Sequence, residues 1–162
     1  MMMSQIVKSD MITKIVCKDK PLNANSPIEE SIDLVGNVVR VQIFTKLTAT
    51  CATPAPHRIT NIFLEPNGLT PAIDINGQDG LAIMKDKYPG ESRKGKDPAS
   101  GNDSLFLDFN FTDYAGKLNL SIPKTAKTMI FRMTATGTEN MAVTMLIIQD
   151  MSLESSDGYR KY

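Results

Sequence analysis

Hydrophobic and polar residues alternate one by one over most of this chain. In VVRVQIFTKLTAT (38–50), Val39, Val41, Ile43, Leu47 and Ala49 share one face with Thr45 among them, while Arg40, Gln42, Lys46 and Thr48 take the other. A period of two marks a strand buried on one side, because successive side chains leave a strand on opposite faces. Gly36 and Asn37 supply the turn before it. SLFLDFNFTDY (104–114) repeats the pattern with Leu105, Leu107, Phe109 and Phe111, and GKLNLSIP (116–123) with Leu118, Leu120 and Ile122 until Pro123 ends the run. Ala115 and Gly116 between them predict a hairpin. TMIFRMTAT (128–136) aligns Met129, Phe131, Met133 and Ala135, and after the turn GTEN (137–140) MAVTMLII aligns Met141, Val143, Met145 and Ile147. These two runs predict a second hairpin that carries much of the core.

Shorter strands are expected around Ile12–Cys17, Ser31–Val35, Ile59–Leu64, Ala72–Ile75 and Leu81–Met84. No stretch keeps a helical period for more than two turns. Many short strands separated by Pro, Gly and Asn turns predict an all-β, antiparallel two-sheet β-sandwich, jelly-roll-like, with an immunoglobulin-like sandwich as the alternative. The 162 residues suit one domain. Its expected limits are 11–154, with a long loop at 88–103, a flexible arm at 1–10 and a flexible tail at 155–162.

Charge narrows the partners. Eighteen basic residues balance eighteen acidic ones, so the chain lacks the basic excess with which nucleic-acid binders neutralise phosphate. Lys8, Ser9, Asp10 and Lys14 break up the apolar residues near the start, so no signal peptide is expected, and no run is long enough to span a membrane. Cys17 and Cys51 lack CxxC spacing and are expected as reduced thiols in a cytoplasm.

DINGQDG (74–80) looks most like chemistry, with Asp74, Asn76 and Asp79 as candidate calcium ligands. Counted as an EF-hand loop from Asp74, however, it has Asp79 where glycine belongs and Lys85 where the bidentate glutamate belongs. It reads instead as a hairpin connection between Ile73/Ile75 and Leu81/Ile83, its glycines supplying positive φ. A calcium site completed by Glu65 or Asp103 is the variant that reading leaves open. His57, the only histidine, has no nucleophile elbow around it and reads as a loop-end residue. Asp108, with Asp113 nearby, reads as a surface carboxylate rather than half of a glycosidase pair. No metal or cofactor is expected. Glycan binding has little to work with: there is no Trp, and the four tyrosines are Tyr88, Tyr114, Tyr159 and Tyr162.

Assembly remains. Long strands, arms at both ends, zero net charge and no catalytic constellation point to a non-enzymatic structural protein of a viral (phage-type) or similar particle. A capsid decoration, head or tail component, oligomeric with itself or other proteins, fits this description; a carbohydrate-binding or adhesion module is the alternative. Such a protein is made in the host cytoplasm and ends in the virion. Tyr88, Arg93, Lys94 and Lys96 in the long loop, with Tyr159 and Tyr162 in the tail, are the expected partner contacts, and the arms are candidates for strand addition to a neighbour.

Overall fold

The computed structural model describes residues 10–48, 53–87, 104–112, 119–152 and 158–162. Its strands are β1 (Met11–Leu22), β2 (Ile28–Asp33), β3 (Asn37–Leu47), β4 (Ile59–Pro66), β5 (Ile73–Ile75), β6 (Leu105–Asn110), β7 (Thr128–Ala135) and β8 (Met141–Asp150). Two short helices join them, α1 (Ala55–Arg58) and α2 (Gly77–Lys87). One sheet has the order β1-β8-β3-β6 and the other β2-β7-β4-β5. The antiparallel pairs include β1 with β8, β2 with β7, β3 with β6 and β4 with β5. The chain is therefore one long ribbon, doubled back between β4 and β5 and then rolled up. That arrangement is a jelly roll. The expected two-sheet sandwich is present, and the strand order rules out the immunoglobulin alternative.

The inner faces meet in one core that includes Ile43, Leu64, Phe109, Phe131, Met133, Met145 and Ile147. In β7 and β8 the buried positions follow the alternation read from the sequence. A register shift in β3 between Val38 and Arg40 turns both Val38 and Val39 inward, as an extra residue in a ladder does.

The connections differ from expectation. β7 and β8 lie in opposite sheets, so residues 136–140 form an arch over the core and not a hairpin. Both strands of an arch turn their apolar faces to the same core, so the alternation reads the same either way. Of the predicted 104–123 hairpin, the described residues keep one bridge, Thr112 to Asn119, while Ile122 bridges to Val38 of β3. Only β4 and β5 are both consecutive and paired.

DINGQDG is also not a hairpin. β5 ends at Ile75 and α2 starts at Gly77, so Leu81–Met84 is helical. Asn76 starts the helix: its Oδ1 accepts the Asp79 N–H at 2.8 Å and its carbonyl accepts the Gly80 N–H at 3.1 Å, which is N-cap chemistry. Neither Gly77 nor Gly80 has positive φ. Gly77 is needed for close approach, because a Cβ there would lie 2.4 Å from the Pro56 carbonyl oxygen. Burial at Gly77, Gly80 and Met84 gives α2 its inward stripe, at spacings of three and four.

Cys17 lies on β1 opposite Met145, its thiol donating to the Val143 carbonyl at 3.6 Å. Desolvation by burial pushes this thiol's pKa above its ordinary value, so near neutral pH it stays protonated and unreactive. In a Cys51→Ser protein, iodoacetamide should label Cys17 at least about tenfold more slowly in the folded state than in denaturant. Equal rates would contradict this burial. Cys51 lies outside the described residues.

Candidate assembly surface

The residues singled out in the sequence do not converge on a site. Asp74 Oδ1 accepts a hydrogen bond from Asn61 at 2.9 Å, and Asn76 is occupied as the helix cap. Among the described residues no three His, Cys, Asp or Glu side chains are grouped to hold a metal ion. His57, on α1, faces the Gln78 side chain, with Nδ1 3.0 Å from Nε2. Tyr88, Arg93, Lys94 and Lys96 lie outside the described residues, as do Asp103, Asp113 and Tyr114. The described helices include none long and apolar enough to cross a membrane.

Tyr159 and Tyr162, expected in a flexible tail, are engaged within their own chain. Tyr162 donates its backbone N–H to the Ala72 carbonyl (2.8 Å), and its own carbonyl accepts the Asp74 N–H (3.0 Å), covering the outer edge of β5. Its ring packs on Phe109 and Phe111 of the opposite sheet at 5.0 and 5.5 Å, and its hydroxyl donates to the Asn110 carbonyl (2.6 Å). Tyr159 donates its hydroxyl to the Thr70 carbonyl. Residues 158–162 thus close the seam between β5 and β6, because this one side chain and its backbone serve both sheets.

Asp108 is no surface carboxylate. It is 1% exposed and takes a two-pronged ion pair from Arg40, Nε to Oδ1 at 2.7 Å and a second guanidinium nitrogen to Oδ2 at 2.6 Å. Arg40→Ala should destabilise the fold by about 2 kcal/mol in urea unfolding, because half-exposed Arg40 screens a buried charge. A loss under about 0.5 kcal/mol, the size of an ordinary surface change, would contradict that role.

The apolar surface is more telling. Met11 (51% exposed), Ile12, Ile15 (60%), Val35 (57%) and Met151 gather where β1 begins, β8 ends and the chain turns from β2 into β3. Hydrogen bonds fix this end: Met151 N–H donates to the Asp10 carbonyl at 3.0 Å, and buried Gln149 accepts the Val35 N–H at 2.9 Å. Further apolar side chains stand on the outer face of the β1-β8-β3-β6 sheet, with Gln42 and Thr144 between them. Ile15 pairs with Leu146 of β8, and exposed Phe44 pairs with Phe106, their rings 6.5 Å apart. Exposed apolar side chains gathered at one end of a sheet, as Met11, Val35 and Met151 are, make a candidate contact site, whereas scattered ones are ordinary.

Two of the sheet edges, β1 and β5, are guarded against strand addition. β1 carries two register shifts, Asp19 at φ 48°, and Lys14 and Lys20, which bridge to the Asp33 carbonyl and to Glu30 of β2. The β5 edge is covered by Tyr162. Bulges, lysines and covered edges are the usual means of preventing edge-to-edge pairing.

No family model matches the chain, and no curated protein matches it in sequence. Among solved structures it is similar to the major capsid protein of STIV, with a TM-score of 0.62 at 11% sequence identity. The likeness is one of fold. It covers 88% of this chain and 49% of that one, so this chain spans about half the length of the capsid protein it matches.

Proposed function

We propose that this chain is a non-enzymatic structural protein of a viral particle, working through protein–protein contacts with itself or with other shell proteins. The observation that carries the reading is a jelly roll, of the fold a viral capsid protein has, that gathers exposed apolar side chains where β1 begins and β8 ends. Fold by itself assigns no function; the surface adds a reason to associate. Ile15, Val35 and Met11 stand exposed on hydrogen-bonded backbone, and covering them with a neighbour gains about 25 cal/mol for each Å² removed from water. The carbohydrate-binding alternative rests on Tyr88 and Tyr114, which lie outside the described residues.

Quantitative mass spectrometry of particles purified from cells that carry the gene tests the reading. The chain is expected at a fixed ratio to the other shell proteins. Its presence in the lysate and absence from the particles would overturn the proposal.

A further inference from the structure

We infer that Asn67 is a site of spontaneous deamidation, while the same Asn-Gly dipeptide at Asn76 is protected by the fold. The inference is independent of the assembly reading.

The reaction needs only the chain and water. The backbone nitrogen of the residue after the asparagine gives its proton to solvent base and attacks the side-chain Cγ. A new N–Cγ bond closes a succinimide, the Cγ–Nδ2 bond breaks, and the amide nitrogen takes up a proton and leaves as ammonia. Water then opens the ring at either carbonyl. One opening gives aspartate, and the other gives isoaspartate, whose main chain runs through Cγ. Glycine in the following position favours the attack, because no Cβ crowds the nitrogen and the backbone turns freely.

Position 67 meets these requirements. Pro66–Leu69 is a β-turn in which the Leu69 N–H donates to the Pro66 carbonyl at 3.0 Å and Gly68 takes φ +70°. Asn67 and Gly68 are both exposed, and a Cβ on Gly68 would meet nothing within 4 Å. Among the described residues, neither the Asn67 side chain nor the Gly68 N–H has a hydrogen-bond partner. Apart from its own closing bond, the turn is tied by the Asn67 N–H to the Thr128 carbonyl at 2.9 Å. Local opening of such a segment costs little.

Position 76 withholds the same freedom. The Asn76 Oδ1 is engaged by the Asp79 N–H at 2.8 Å. Gly77 is buried, and the place of its Cβ lies 2.4 Å from the Pro56 carbonyl oxygen. Rotating the Gly77 nitrogen onto the Asn76 Cγ would pull the start of α2 off α1.

Conversion at Asn67 acts on the seam. Either product adds a negative charge to the turn between β4 and β5, and isoaspartate also adds a backbone carbon. Just beyond that turn, the Thr70 carbonyl accepts the Tyr159 hydroxyl, and Ala72 and Asp74 hold the Tyr162 backbone.

The test is to age the full chain in mildly alkaline buffer, folded and in urea, and to follow the amide-to-acid mass gain by tandem mass spectrometry. One tryptic peptide, residues 59–85, carries both asparagines, so its fragments report them together. In the folded chain Asn67 should convert at least about tenfold faster than Asn76, while in urea the two should convert at comparable rates. Asn67→Gln, one methylene too long for the same ring, should lose the gain at 67 and leave Asn76 unchanged. The aged chain should melt at a lower temperature than the fresh one, and aged Asn67→Gln should not. Equal rates at the two asparagines in the folded chain, or conversion of Asn67 in urea alone, would overturn the site. Full conversion with unchanged melting would overturn its link to the seam.

Discussion

Removal of residues 158–162 should lower stability by about 4 kcal/mol, which for a domain of this size is a fall of about 10 °C in melting temperature. The segment runs between the two sheets, with Tyr162 packed against Phe109 and Phe111 and its backbone on both sides of Ile73. Losing the ring leaves a cavity between two buried phenylalanines, and losing the backbone strips two hydrogen bonds from the β5 edge. Tyr162→Ala should account for about 3 kcal/mol of the loss, and Tyr162→Phe, which loses only the bond to the Asn110 carbonyl, for about 1 kcal/mol. The truncated chain should also aggregate, because an uncovered edge pairs with others. Urea unfolding of the three variants checks the ranking, and a truncation that costs less than Tyr162→Phe would contradict the seam.

Arg58→Met should cost about 3 kcal/mol. Arg58 is 2% exposed, and it donates to the carbonyls of Thr136 (3.0 Å) and Glu139 (2.6 Å) in the arch that carries the chain from β7 to β8. Methionine fills similar volume but leaves those carbonyls without their charged donor. Gly137 sits at the crown of the arch with φ +82°, where a Cβ would lie 3.1 Å from the Arg58 guanidinium. Gly137→Ala should therefore cost a further 1 to 2 kcal/mol, about the strain of a left-handed alanine. Hydrogen exchange localises the effect: the amides of Thr136, which donates to the Arg58 carbonyl, and Ala24, which donates to Gly137, should lose protection first. Uniform loss across both sheets would instead mean that Arg58 supports the core generally.

The sequence speaks for strands and faces more than for connections. Alternation in 41–47, 128–135 and 141–148 places the inward residues correctly, since a strand's period is set by its own backbone, whereas the register shift turns both Val38 and Val39 inward. Whether two such strands pair or arch over the core depends on the path of the turn between them, and GTEN suits both. DINGQDG reads as a hairpin because Asn-Gly and Asp-Gly serve hairpins and helix starts alike; the spacing of Asn76 to Asp79, a cap to its third helical residue, is the signal that separates them. Asp108 alternates as a surface residue should. Its burial depends on Arg40, a partner 68 positions away that no local pattern reveals. The exposed apolar surface is invisible for a similar reason: Met11, Val35 and Met151 are distant in sequence and meet only because β1, β8 and the turn before β3 end side by side.

Assembly into a particle is the central claim, and the composition of purified particles tests it most directly. Quantitative mass spectrometry should find the chain at a fixed ratio to the other shell proteins. Its presence in the lysate and absence from the particles would contradict the claim.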